Sequence, residues 1–231
     1  MPMQCLAIIP AFNEEKSIAT IIQETKKYAN QVLVVNDHST DNTGKVARLH
    51  GAIVIYHSRH KGVGAAMRTG ITYAKKLEPN IVVTIDADGQ HRPEDIPRLI
   101  EPIISGKADF VLGSRFLNGK PINIPQIKKI GNRLLTFITS FLARVKLTDT
   151  QTGFRAFNRK VLLSLNLVSD FTYTQEMILI LCHRGFRCAE VPVQMRSREY
   201  GKSKVVSKIG AYALRALTII FSTYLRLKVH G

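Results

Sequence analysis

The sequence predicts an α/β domain, a mostly parallel central sheet flanked by helices, with amphipathic helices toward its C-terminal end. Short β-branched runs such as QVLVVN, AIVIYH and IVVTI alternate with helical stretches. Strands that are apolar throughout, set in strand-helix-strand succession, imply a parallel sheet covered on both faces. The second half changes to longer basic segments whose apolar residues recur at helical spacing.

CLAIIPAF opens the chain as a strand, and EEKSIATIIQETKKYA follows as a helix with Ile18, Ile21, Ile22 and Thr25 on one face. Asn13 is the expected N-cap of that helix. QVLVVN gives the second strand, STDNTGKVARLHG a helix ended by Gly51, and AIVIYH the third strand. GVGAAMRTGITYAKK is the next helix. Its start looks like a dinucleotide fingerprint, but Met67 stands where the third glycine belongs, so a tight turn into a helix is the better reading. IVVTI, PEDIPRLIEPIIS and DFVLGSR continue as strand, helix and strand. KKIGNRLLTFITSFLARVK reads as an amphipathic basic helix, DTQTGFRAF as a polar loop, FTYTQEMILILCHRG as a helix and FRCAEVPVQM as a strand. The tail VVSKIGAYALRALTIIFSTYLRLKVHG is again helical, which divides the chain into a main domain over 1–204 and a helical appendage over 205–231.

The bulk chemistry narrows the partners. A chain of 231 residues with 45% hydrophobic content can bury a sizeable core. A formal charge of +16 implies an anionic partner: nucleic acid, an anionic membrane surface or phosphorylated small molecules. Nucleic acid is the weakest of these, since there is no Trp and no RNP-like, zinc-finger or recognition-helix pattern. Cys5, Cys182 and Cys188 are odd in number and form no C-x-x-C, so reduced thiols in a cytosol-facing protein are expected. MPMQCLAIIPAF lacks the basic start of a signal peptide. The apolar run from Ala216 to Leu225 lies between Arg215 and Arg226 and is too short to span a bilayer.

In such sheets ligands gather beyond the carboxyl ends of the strands, where Asp37 and the D-A-D of IDADGQH stand. Successive strand side chains alternate faces, so Asp86 and Asp88 point the same way and Gln90 continues the alternation, offering hard oxygen ligands to a divalent cation. The alternative is that the two carboxylates cap the helix at Pro93 or tie a turn through Gly89. SREYGKSK sets Arg198, Lys202 and Lys204 in a glycine-hinged loop that can close over phosphates, or is simply a solvated basic loop.

Taken in order, IIPAFNEE, VVNDHSTDNTG, KGVGAAMRTGI, IDADGQH, GSRF, DTQTGFRAF and the R-x-x-G-x-S-K of REYGKSK resemble the family 2 glycosyltransferases, in particular the dolichol-phosphate mannose synthase and polyprenyl-phosphate hexose synthase group. The resemblance implies a glycosyltransferase A fold that passes a hexose, with inversion, from a nucleotide-sugar such as GDP-mannose or a UDP-sugar to dolichyl or another polyprenyl phosphate. Matched by position, Pro10, Phe12, Glu14 and Asp37 would hold the nucleoside. Asp86, Ala87, Asp88 and Gln90 would hold Mg²⁺ or Mn²⁺ and the diphosphate. Arg198 and Lys204 would clamp the departing phosphates, and Arg115 and Arg133 would position the acceptor phosphate. A phosphate acceptor is already anionic and needs positioning rather than a base. A sugar hydroxyl on a soluble or polysaccharide acceptor would need one, and Glu176 is then the candidate, unless it merely pairs with a nearby Arg. The implied location is cytoplasmic, peripheral on the cytosolic face of a membrane. Longer relatives carry C-terminal transmembrane helices, so here contact would rest on Lys128 to Lys146 and Val205 to Lys228 lying in the interface. The alternative is that both segments pack on the sheet or on a partner subunit.

Overall fold

The structure, a computed structural model, describes residues 3–117, 126–197 and 209–230. Its sheet has the order β3-β2-β1-β4-β6-β5-β7. The strands are β1 (Cys5–Ala11), β2 (Gln31–Asn36), β3 (Ile53–Tyr56), β4 (Ile81–Thr84), β5 (Phe110–Ser114), β6 (Arg155–Asn158) and β7 (Cys188–Pro192). Every neighbouring pair is parallel except those made by β6, which runs antiparallel between β4 and β5.

Alternate residues of β1 feed two cores, as the pleat requires. Ala7 and Ile9 pack with Ile18, Ile21 and Ile22 of α1 (Glu15–Thr25) and Leu99 of α4 (Ile96–Ile104). Leu6 and Ile8 pack with Met67 and Ile71 of α3 (Val63–Leu77), Val161 and Leu162 of α6 (Arg159–Ser164), and Met177 of α7 (Thr174–His183). A smaller cluster joins Leu135 of α5 (Gln126–Ala143), Leu179 of α7, and Ala216 and Ile220 of α8 (Ile209–His230). Helix α2 (Thr43–Leu49) completes the set and ends before Gly51, whose φ of +74° breaks it. The three cysteines are free thiols.

Three local expectations are corrected. Asn13 does not cap α1: it has φ +53°, and its Oδ1 accepts the Thr40 N–H at 2.8 Å, tying the loop to the turn after β2. The polar stretch DTQTGFRAF is not all loop, because Arg155–Asn158 forms the buried strand β6. And β4 stops at Thr84, with Ala87 to Gly89 turning away and Gly89 at φ +76°. Strand alternation therefore does not set the D-A-D side chains; a turn does.

Helix α5 is amphipathic in the unusual sense. Its buried face carries Leu135, Thr136 and Thr139, while Ile127, Ile130, Leu134, Phe137 and Phe141 face outward, Phe141 being 74% exposed. On α8, Leu214, Phe221, Leu225 and Val229 are also exposed. Among the described residues no helix is long and apolar enough to cross a membrane.

Candidate active site

Five segments meet at the carboxyl edge of the parallel strands: the loop after β1, Asp37 after β2, the loop entering α3, the turn after β4, and residues 149–153 before β6. The antiparallel direction of β6 is what brings the last of these there, since its amino end adjoins the carboxyl end of β4.

Asp86 stands at the start of the turn after β4. His91 Nε2, itself buried, lies 3.4 Å from its Oδ2. Withdrawal from water pushes the Asp86 carboxyl up, but the His91 contact and the charges of Arg115 and Arg155 outweigh it and hold the group below the usual carboxylate range. Asp88 Oδ1 accepts the Gln90 N–H at 3.1 Å. Ser17 in the first turn of α1 donates to Ala87 C=O at 2.8 Å, fastening the D-A-D turn to the first helix. Gly153 is required opposite: a Cβ there would stand 2.6 Å from Asp86 Oδ1. Gly153→Ala is therefore expected to displace the carboxylate and lower turnover by about 10²-fold with little change in melting temperature, checked by paired kinetics and thermal unfolding.

Asp37 is buried and thoroughly occupied. Its Oδ1 accepts from the Lys61 N–H at 2.9 Å and lies 2.6 Å from His57 Nδ1, while Oδ2 accepts from the Gly62 N–H at 2.7 Å and lies 2.9 Å from His60 Nδ1. A carboxylate has about four acceptor positions, so these contacts fill it. Burial raises its pKa, but those hydrogen bonds win and keep it low. The carboxylate thereby fixes the loop that presents His60, whose ring stacks on Phe12 with centroids 4.0 Å apart. Pro10 lies buried inside β1, and the Glu14 N–H is held by Thr43 Oγ1 at 2.8 Å.

Arg115, at the end of β5, grips Asp149 with two guanidinium bonds, Nε to Oδ2 at 2.6 Å and Nη2 to Oδ1 at 2.9 Å. Asp149 is wholly buried, and Asn132 of α5 adds a contact of 3.3 Å. Burial alone would raise the Asp149 carboxyl; Arg115 holds it low instead. Arg133 is exposed on α5 beside Asn132. Arg155 is buried and makes its bonds to the carbonyls of Thr150, Thr152 and Thr174, leaving a cation beneath the site. Burial lowers its pKa from the free guanidinium value.

Glu176 is not poised as a base. It is 1% exposed on its side chain, accepts the N–H groups of Val168 and Ser169, and is bonded by Arg226 of α8 at 2.9 Å. The structure thus brings Phe12, Glu14, Asp37, Asp86, Ala87, Asp88, Gln90 and Arg115 to one edge. Arg198 and Lys204 lie outside the described residues; among the described ones the Arg196 N–H donates to Gln90 C=O at 2.8 Å. Sequence reasoning missed Asp149, His91, Arg155 and Ser17.

A sequence model of the family described as Glycosyl transferase family 2 matches residues 6–165. The chain belongs to that family. It is similar to the UDP-N-acetylglucosamine--dolichyl-phosphate N-acetylglucosaminyltransferase of Methanococcus voltae, with 36% identity covering 85% of this chain and 87% of the other. It is similar also to the polyprenol monophosphomannose synthase of Mycolicibacterium smegmatis, with 31% identity covering 87% of this chain and 80% of that one. Among solved structures, glucosyl-3-phosphoglycerate synthase from Mycobacterium tuberculosis, in complex with Mn²⁺, UDP and phosphoglyceric acid, superposes with a TM-score of 0.77 at 19% identity, covering 96% of this chain and 79% of that one. The glycosyltransferase A fold expected from the sequence is the fold of this family 2 glycosyltransferase. The resemblance read from its motifs holds.

Proposed function

We propose that this glycosyltransferase transfers a hexose or N-acetylhexosamine from a nucleotide-sugar to a polyprenyl phosphate, in a divalent-metal-dependent, inverting reaction. The observation that carries the reading is the meeting of the D-A-D turn with the Arg115–Asp149 pair at one edge of the sheet. A donor's diphosphate bound at that turn would lie beside a guanidinium able to meet an acceptor's phosphate. The names of the Methanococcus and Mycolicibacterium relatives point the same way.

The residues present fit a Mg²⁺ or Mn²⁺ ion. Asp86 is held ionised, and Asp88 and Gln90 add hard oxygens on the same turn. Among the described residues no group of three or more His, Cys, Asp or Glu is placed to form a full cage. That is the donor set for an ion that completes its shell with water and substrate phosphates. When bound, such an ion neutralises charge on the departing diphosphate. Asp37 serves the nucleoside by holding the His60 and Phe12 surface, and Arg198 and Lys204 take the phosphate clamp.

A phosphate acceptor is favoured over a hydroxyl because two carboxylates that could act as bases are committed, Glu176 to the 168–169 loop and Arg226, Asp149 to Arg115. The outward apolar faces of α5 and α8, on segments that contain no Asp or Glu, suit an anionic membrane surface. Phe137→Ser with Phe141→Ser is expected to weaken binding to anionic vesicles by at least about tenfold, given roughly 2 kcal/mol for each buried Phe. Co-sedimentation would measure it, and undiminished binding would remove this face from the membrane. The reaction itself is tested by incubating the protein with polyprenyl phosphate, Mg²⁺ or Mn²⁺ and a panel of labelled sugar nucleotides. Label entering the organic phase supports the reading; label confined to water-soluble products refutes it. Arg133→Ala is expected to raise the KM for lipid phosphate several-fold more than that for the nucleotide-sugar.

A further inference from the structure

Residues 149–153 cross the site edge directly over Asp86, where Gly153 abuts its carboxylate. Two residues earlier stands Gln151, whose Oε1 accepts from the Tyr212 hydroxyl of α8 at 3.1 Å. The other end of that carboxamide, Nε2, is buried and has no hydrogen-bond partner among the described residues. The two ends are alike in shape, so whichever way the group is turned one of them keeps an unfilled hydrogen bond. An unsatisfied buried polar group is costly and calls for an explanation, and a ligand that fills it is one.

Tyr212 is firmly placed. Its ring packs at 48° on Phe171 with centroids 5.3 Å apart, and the Arg215 guanidinium covers Phe171 at 4.2 Å. The loop that carries Phe171 is pinned through the Val168 and Ser169 N–H groups to Glu176. The Tyr212 phenol is raised by burial, and the charges of Arg115 and Asp86 both act on it, which puts it in their neighbourhood. Helix α8 therefore reaches the site as well as the outer surface.

We propose that Gln151 contacts the sugar being transferred and discriminates among sugars, with Tyr212 as the positioning residue that holds its carboxamide. The inference rests on the donor placement proposed above: a sugar joined to a diphosphate at the D-A-D turn lies within reach of residues over Asp86. A neutral carboxamide beside a phenol and an aromatic face suits a sugar ring with its hydroxyls, whereas a phosphate would call for Arg or Lys. A site that hydrogen-bonds a substrate hydroxyl also rejects the analogue in which that hydroxyl is missing or inverted.

The test compares the full-length protein with Gln151→Ala, Gln151→Glu and Tyr212→Phe, using Mn²⁺, UDP and GDP, and UDP- and GDP-linked glucose, mannose, N-acetylglucosamine and a deoxy analogue of the preferred sugar. Titration gives the ratio of nucleotide-sugar affinity to nucleoside-diphosphate affinity, which needs no acceptor; steady-state transfer gives KM and kcat. Gln151→Ala is expected to reduce that ratio about tenfold and to narrow the gap between the preferred sugar and its analogues, leaving nucleoside-diphosphate affinity and melting temperature unchanged. Tyr212→Phe is expected to lower kcat for the preferred sugar several-fold, to narrow the same gap less than Gln151→Ala does, and to leave the KM for lipid phosphate as it was. An unchanged sugar ranking in all three variants overturns the proposal while leaving the transferase reading intact, as does an effect confined to the KM for lipid phosphate. Failure of the wild-type protein to transfer label from any of these nucleotide-sugars overturns both.

Discussion

Asp88→Ala is expected to lower metal-dependent sugar transfer by at least about 10³-fold while the protein stays folded. Asp88 lies on a partly exposed turn, and one bond the substitution removes is its acceptance of the Gln90 N–H at 3.1 Å. Losing a hydrogen bond of that kind costs about 1 kcal/mol, too little to unfold a domain. Turnover across a Mn²⁺ titration, read beside thermal unfolding, separates the two effects. Ordinary activity in the variant would remove Asp88 from the metal site, and a collapse of stability would make it structural.

The largest expected stability effect belongs to Asp149→Ala. This carboxylate is wholly buried and paired with an Arg115 side chain that is 17% exposed. Removing one partner of a buried pair leaves the other charge uncompensated, which costs about 3–5 kcal/mol. Asp149→Asn keeps the shape and loses the charge, so it should fall between. The pair also has a pH signature. The folded pKa of Asp149 lies below its unfolded value of about 3.9, so the stabilisation is complete above that pH and is lost as pH falls through the depressed folded value. Denaturant unfolding of wild type and Asp149→Asn between pH 7 and pH 3 should show the two curves converge at the acid end; parallel curves would deny the pair this role.

Much of the scaffold was legible because apolar strand runs between helices have few other meanings, and the D-A-D stood out because two carboxylates closing such a run need a reason. The rest depended on distant partners. Asp149 in a polar stretch looks like any turn residue until Arg115, far earlier in the chain, is seen to bind it. Strand β6 was missed because it is short and opens with an arginine, whose burial makes sense only once three carbonyls surround it. Asn13 had the right chemistry for a cap but was drawn across to Thr40. Glu176 had the right chemistry for a base but was already bound by Arg226, 50 residues later in the sequence. The Gln151–Tyr212 contact joins two unremarkable residues and could not be read from either alone.

The reversed strand also sets a timetable for folding. Strands β1 to β4 pair in parallel with one another and can assemble from the first part of the chain to leave the ribosome. The outer edge of β4 then waits, unpaired, until Arg155–Asn158 has been made and has looped back beside it. An open edge is a place where chains stick to one another, and closing it late is slow because the contacts are far apart in sequence. Half-made chains that stop short of β6 would carry Asp37 and the D-A-D turn and an adhesive flank, so chaperone dependence should peak in that interval.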